Sequence, residues 1–277
     1  MAKGIGLIGN FKGKVGNTVG YKLSASNNGQ TQGIRVYQPI VKNPKSAGQA
    51  EQRAKLLAVN ATYRALKMVI DRGNEGLPYG NKSRLAWLKG ALKAENMPWF
   101  EKGSQATYPV VCPLTKGSLT PLNVSVDDGF LNINVPNLAK GADVSTVGKL
   151  STALLAGIPS LKAGDQLTFV CVQGSKTLMN TYVLSIVIDT TDSTALTAFS
   201  ADANTLQYST PIDSQFGAVI VSRQGDNGEH LRSTSTLIGM DGATDAAPYI
   251  EASKAAAIAS YRASAASNSD WAEESIQ

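Results

Sequence analysis

The hydrophobic residues of this 277-residue chain change their spacing near residue 107, and this change limits the folds open to it. Before that point, apolar residues recur at alternating steps of three and four, which is the spacing of one helix face. The clearest such stripe is Leu56, Val59, Tyr63, Leu66 and Ile70. After residue 107, short apolar runs alternate with turn residues, which is typical of strands. Helices followed by strands predict an α+β fold.

The strand-like part is expected to form one antiparallel β-sandwich of the immunoglobulin-like kind. Seven or so short strands within about 130 residues, each followed by turn residues, favour this architecture. The segment 145–158 does not fit the strand pattern, and a short helix at the edge is an alternative there. The predicted strands are 108–112, 124–126, 130–135, 166–172, 182–188, 217–222 and 231–238.

The remaining segments complete the predicted domain organisation. Residues 1–42 are glycine-rich and basic, and they predict an arm followed by a β-hairpin whose strands, 19–23 and 34–38, flank an Asn-Gly turn. Residues 43–106 predict a helix pair, with Ser46 as N-cap of the first helix and Gln49 as its capping-box partner. The sandwich occupies 107–242, and 243–277 predicts an Ala-rich C-terminal helix and an acidic tail.

Charge is distributed very unevenly along the chain. Residues 1–110 carry 17 Lys and Arg against 5 Asp and Glu, a net of +12, whereas residues 111–277 carry 9 against 16, a net of −7. No acidic residue precedes Glu51. Such asymmetry indicates a basic module that meets a polyanion. Nucleic acid, an acidic protein surface and a plain solvated face are the three readings of this module.

Candidate binding residues follow from the positions of the cations and of the aromatic residues among them. Cations beside aromatic rings suit phosphate neutralisation and base stacking. On a helical wheel, Arg53, Arg64 and Lys67 fall within about 60° of each other, and Lys82, Lys89 and Lys93 within about 40°. The arm and hairpin contribute Lys3, Lys12, Lys14, Lys22 and Arg35, with Phe11, Tyr21 and Tyr37 interleaved.

No catalytic, metal or cofactor site is predicted. The glycine spacing at 4–9 matches a dinucleotide-binding fingerprint, but no strand precedes it. His230 is the single histidine, and two separated cysteines, Cys112 and Cys171, cannot build a zinc centre. Reduced, buried thiols are expected, with a bridge between them as the alternative. No secretion signal or membrane span is visible, so synthesis in a cytoplasm is expected.

Two N-terminal motifs resemble the opening of an uncharacterised family of phage- and prophage-borne proteins. The family pattern begins with GKVGxxVGY, found here at 13–21, and continues after a basic strand with an N-P-K/R-[ST]-x-x-Q-x-x-Q-R helix start, found here at 43–53. The resemblance covers roughly residues 4–70 and extends loosely into the later strands.

The resemblance implies a virion structural protein and carries no catalytic residues over to this chain. It implies assembly with other virion proteins, as a homo- or hetero-oligomer, and a location in the virion after synthesis in the host cytoplasm. A non-virion nucleic-acid-binding protein and an enzyme are the alternatives. The family pattern does not include the Ala-rich helix and acidic tail of this chain.

Overall fold

The computed structural model describes residues 13–15, 17–22, 32–37, 46–127, 129–175 and 177–263. The chain divides into two compact units, Met1–Pro44 and Lys45–Gln277. The predicted arm before residue 13, the Asn-Gly turn and the acidic tail lie outside the described residues.

The first unit contains a small antiparallel sheet. Its strands are β1 (Gly13–Val15), β2 (Thr18–Lys22) and β3 (Gln32–Val36), in the order β1-β2-β3. The strands β2 and β3 pair where the hairpin is predicted, and β1 adds a third strand that the sequence analysis did not predict. We call this sheet the ribbon.

The second unit carries its helices before, between and after its strands. Ser46 caps the first helix by accepting a hydrogen bond from the Gln49 amide at 3.4 Å, as predicted. The ambiguous segment 145–158 contains a helix, whose N-cap Thr146 accepts from the Lys149 amide at 3.3 Å. The helices are α1 (Ala47–Ala65), α2 (Lys67–Ile70), α3 (Asn81–Ala91), α4 (Val147–Gly157) and α5 (Glu251–Ala263), with 3-10 turns at Ala243–Asp245 and Ala247–Tyr249.

The strands of the second unit form two main antiparallel sheets and one short pair. One sheet has the order β5-β6-β10-β9, and the other has the order β12-β11-β7-β8 with β14 also paired to β11; β13 pairs with β4. The strands are β4 (Pro113–Thr115), β5 (Val124–Asp127), β6 (Gly129–Asn134), β7 (Gln166–Gly174), β8 (Met179–Val187), β9 (Phe199–Asp202), β10 (Thr205–Ser214), β11 (Phe216–Gln224), β12 (His230–Arg232), β13 (Ser235–Thr236) and β14 (Ile238–Gly239).

The sheet that contains β7 and β11 is covered on both faces. Because side chains alternate along a strand, Val170 and Ile220 face a core formed with α1, α2, α3 and α5, whereas Phe169 and Val219 face a second core. The second core lies between the two main sheets and includes α4. There the ring of Phe169 lies 5.3 Å from that of Phe199 on β9. The predicted mixed α+β architecture with antiparallel sheets is confirmed. The sheet that contains β7 and β11 is the middle layer, with α1, α2, α3 and α5 on one face and the sheet β5-β6-β10-β9 on the other.

Two leucines of the helix pair are not in the core, one of them from the predicted stripe. Leu56 on α1 and Leu85 on α3 are exposed. The buried face of α1 instead consists of small side chains such as Ala54 and Ala58, and α5 packs against α1 with its own buried Ala257. Small side chains let two helices approach closely. On α1 this packing leaves Leu56 outside the buried face, whereas Val59 of the same stripe is buried.

Candidate nucleic-acid or partner interface

One face of the ribbon gathers cations and tyrosines. Residues directly opposite each other in a sheet share a face, and Val19 is opposite both Lys14 on β1 and Arg35 on β3. Tyr21 follows Val19 by two residues on β2 and shares this face because side chains alternate. Tyr37 directly follows the end of β3, and its ring lies beside the Lys14 ammonium on this face. The ribbon therefore brings Lys14, Tyr21, Arg35 and Tyr37 together, four of the predicted binding residues. We call this the ribbon face.

The side chains of the ribbon face are accessible. Lys14 and Arg35 are exposed, Tyr21 is 44% exposed, and Tyr37 is half-buried. The Lys14 ammonium lies 3.6 Å from the centre of the Tyr37 ring, a cation–π contact that is worth about 0.5–1 kcal/mol at exposed sites. Lys22 ends β2, and its side chain is outside the described part of the structure, as are Lys3, Phe11 and Lys12.

The helices of the second unit carry the other predicted cations on their surface. All six are exposed, and none forms an ion pair within the described residues. By contrast, Lys55 on α1 pairs with Glu51 at 2.8 Å. Cations that form no ion pair are available to a partner. The six residues are Arg53, Arg64, Lys67, Lys82, Lys89 and Lys93.

The helical wheel assumed one continuous helix from the Ser46 cap to Arg72, and that continuity is wrong. The helix α1 ends at Ala65, and Leu66 leaves helical geometry with φ −111° and ψ 23°. Lys67 therefore belongs to α2, whereas Arg53 and Arg64 remain within about 20° of each other on α1. Lys93 similarly lies beyond the last residue of α3, which holds Lys82 and Lys89 on one side.

Sequence reasoning missed two arginines that stack on tyrosines near the α2–α3 turn. The Arg84 guanidinium lies 4.5 Å from the centre of the Tyr63 ring, and that of Arg72 lies 5.3 Å from the Tyr79 ring. The Tyr63 hydroxyl donates to Asp71 at 2.8 Å. The pKa of Tyr63 is raised, mainly by burial and to a smaller extent by this hydrogen bond. No sequence spacing relates Arg84 to Tyr63.

Residues that could carry other chemistry are scattered or buried. His230 is exposed on β12. The free cysteines lie in different cores, Cys112 on the helix side and Cys171 between the sheets, so the alternative of a bridge between them is wrong. Burial raises the pKa of both thiols to about 12, which keeps them protonated at neutral pH. In the part of the chain that the structure describes, no cluster of metal-ligating side chains is found.

An open groove of about 440 Å³ lies between β5 and β14. It is lined by residues 124–127 together with Ile238, Gly239 and Asp241. Its titratable side chains are the carboxylates of Asp127 and Asp241, which would repel an anion.

Among the described helices, none is both long and apolar enough to span a membrane.

Comparison with known proteins gives no relative: no family model, no curated protein and no solved structure matches this chain. The features of this chain that bear on its function are therefore the ribbon face, the exposed helix cations and the two N-terminal motifs.

Proposed function

We propose that this chain is a structural protein of a bacteriophage virion, and that its basic N-terminal module contacts packaged nucleic acid or a neighbouring virion subunit. The observation that carries the contact is the ribbon face, where Lys14 and Arg35 lie on the same side of a sheet as Tyr21 and Tyr37. A sheet that presents cations and aromatic rings on one face can neutralise phosphates and stack bases at once.

Nucleic acid is favoured over an acidic protein as the partner of the ribbon face because of the tyrosines. An acidic protein surface needs only cations, whereas base stacking needs accessible rings. Tyr21, which is 44% exposed, offers such a ring, whereas Tyr37 is half-buried and has the Lys14 ammonium on one side of its ring. The exposed cations of α1 and α3 add positive charge that no acidic side chain among the described residues pairs with.

The virion assignment rests on the motifs at 13–21 and 43–53. They resemble phage- and prophage-borne proteins, from which we infer a homo- or hetero-oligomeric assembly, a location in the virion and synthesis in the host cytoplasm. The immunoglobulin-like strand arrangement and the basic arm before residue 13 are further parts of this proposal. The ribbon face would equally serve a nucleic-acid-binding protein outside the virion, which is the second candidate.

The salt dependence of binding tests the nucleic-acid contact. Each phosphate that a cation neutralises releases counterions, so five to eight contacts predict a log–log slope of about −4 to −7 for duplex DNA. Fluorescence anisotropy with labelled duplex and single-stranded DNA, at several salt concentrations, measures this slope. If the chain does not bind DNA at low salt, or if its affinity for DNA does not change with salt, the nucleic-acid contact is contradicted. A protein would then remain as the partner of the basic module.

Variants of the ribbon face separate stacking from charge. Tyr21→Ala should weaken single-strand binding by about 1–3 kcal/mol and leave the salt slope unchanged, because it removes a stacking surface. Arg35→Gln should instead make the slope less negative by about one unit. Lys162→Gln is the matched control, since Lys162 is an exposed cation of the second unit outside the candidate surfaces.

Mass spectrometry of purified particles tests the virion location, and absence from particles would favour the second candidate.

A further inference from the structure

Strand β8 forms an unusually long and uncharged sheet edge. It spans Met179–Val187, nine residues without a charge or a proline, and within the described residues it pairs only with β7. The other outer strands of the two main sheets are two to four residues long. Three of them carry a charge, Asp127 on β5, Asp202 on β9 and Arg232 on β12, and the uncharged β14 has only two residues. Short, charged edges resist pairing with other chains, whereas a long, uncharged edge invites it.

The backbone groups that β8 leaves open follow from its register with β7. At one end of this hairpin the Ser175 amide donates to the Leu178 carbonyl, and at the other end the Ile188 amide donates to the Asp165 carbonyl. Hydrogen-bonded pairs alternate along an antiparallel ladder. The even-numbered residues of β8 therefore bond to β7. The amides and carbonyls that point outward belong to Met179, Thr181, Val183, Ser185 and Val187.

Apolar side chains accompany this open edge. Val183 is 43% exposed, Val187 is 52% exposed and Tyr182 is 36% exposed. Val183 and Val187 lie on the sheet face that packs against the helices, opposite Val170 and Gln166 of β7. The helices cover Val170 but leave Val183 accessible. Both the edge of β8 and part of its face are thus available to a partner.

We propose that β8 pairs with β8 of a second copy of this chain, antiparallel across a twofold axis at Val183. The outward-pointing residues must form the hydrogen-bonded pairs. With Val183 opposite its own copy, Thr181 comes opposite Ser185 and Met179 opposite Val187. On the other face, Tyr182 comes opposite Leu184. The pairing joins the two sheets into one continuous sheet and covers the exposed valines.

A second copy fits this edge because the edge is complementary to itself. A twofold contact places the same strand on both sides, so any charge would meet its like near the axis, and β8 has none. The cross-strand pairs are valine with valine, hydroxyl with hydroxyl and aromatic with aliphatic, which are favourable neighbours in sheets. This dimer does not depend on the proposed function, since its test uses the chain without nucleic acid or other virion proteins.

Crosslinking of the full-length chain tests both the contact and its register. In a hydrogen-bonded pair the two Cα atoms are about 5.5 Å apart, which is within disulfide range. Val183→Cys should therefore form a disulfide-linked dimer under mild oxidation. Ser185→Cys should not, because the two copies of residue 185 would be about 13 Å apart along the paired strands. The native cysteines are both buried and should not interfere.

Sedimentation velocity gives the second test. The unchanged chain should dimerise, and Val183→Lys should raise the dimer dissociation constant at least tenfold, because two lysines would meet on the axis. Ile250→Lys is the matched control, since Ile250 is 45% exposed and lies outside the sheets; it should leave the dimer intact. A chain that is monomeric at about 100 µM, or crosslinking of Ser185→Cys as fast as of Val183→Cys, would overturn the proposal. Slow amide exchange at β8 in a monomer would show instead that the chain covers this edge itself.

Discussion

Arg223 on β11 holds the carboxylate of Asp165, next to the start of β7, through two hydrogen bonds. Nε donates to Oδ1 and Nη2 donates to Oδ2, both at 2.6 Å. Asp165 is fully buried and also accepts from the Lys162 amide at 2.8 Å. Arg223 donates further to the Ser160 carbonyl at 2.9 Å. The pair therefore connects β11 to the start of β7 and to the loop before it. It lies at one end of the sheet that contains β7 and β11, which we call the central sheet.

Replacing Arg223 should destabilise the fold strongly. Arg223→Met leaves the buried Asp165 carboxylate without its cation, and breaking a buried pair from one side costs about 3–5 kcal/mol. The free energy of unfolding from urea titration measures the loss. Lys140→Met is the control, because the Lys140–Asp202 pair is solvent-exposed and exposed pairs contribute little. Equal effects of the two substitutions would contradict a structural role of the buried pair.

Glu75 links the α2–α3 turn to two other segments through its carboxylate. It accepts from the Ser118 amide at 2.9 Å and from the Arg232 amide at 3.0 Å. Burial alone would raise the pKa of Glu75, but the hydrogen bonds from Ser118 and Arg232 outweigh it and lower the pKa below 4.5. The ionised form of Glu75 is therefore favoured in the folded state.

The stability that Glu75 contributes should depend on pH. Because its pKa is lower in the folded than in the unfolded state, the contribution is complete above pH 4.5 and is lost as pH falls through the folded-state pKa. Glu75→Gln should reduce the free energy of unfolding by about 1 kcal/mol at pH 7 and by less at pH 3. Denaturant titrations at both pH values measure this, and a difference that stays constant would contradict the lowered pKa.

Local signals explain which helices and strands were predicted correctly. The Ser46 cap depends on residues three positions apart, and the strand runs of β7 and β11 are long and apolar. The break at Leu66 gave no such signal, since the apolar stripe continues through it. The exposure of Leu85 depends on which face of α3 packs against neighbouring helices and strands, and spacing alone does not specify this.

The candidate interface was predicted residue by residue but not as a surface. The positions of the cations could be read directly from the sequence. Only the register of the strands shows that Lys14, Arg35 and the tyrosines share one face. The Arg84–Tyr63 stack joins two helices, and the open edge of β8 depends on the order of strands in a sheet. These are relations between segments that are distant in the sequence, and the periodicity within one segment cannot predict them.

Gly117 and Gly90 should respond in opposite directions to a methyl group. A Cβ at Gly117 would lie 2.2 Å from the Arg232 carbonyl oxygen, which is backbone, whereas a Cβ at Gly90 on α3 meets nothing within 4 Å. Gly117→Ala should lower the free energy of unfolding by about 1–3 kcal/mol. Gly90→Ala should raise it by about 0.5–1 kcal/mol, because glycine is unfavourable inside a helix. Thermal melts of both variants measure the effects, and a neutral Gly117→Ala would contradict the close approach of the two backbones.

The strand-rich segment should need its helices to fold cooperatively. Val170, Val172, Phe216 and Ile220 on the central sheet are buried in a core to which α1, α2, α3 and α5 contribute. A fragment of residues 105–243 would expose these side chains, and exposed apolar surface costs about 25 cal/mol per Å². We expect this fragment to bind a hydrophobic dye and to melt without a sharp transition, whereas residues 45–263 should melt cooperatively. Circular dichroism on both fragments measures the difference; a cooperative β-type melt of 105–243 would instead support a domain boundary near residue 107.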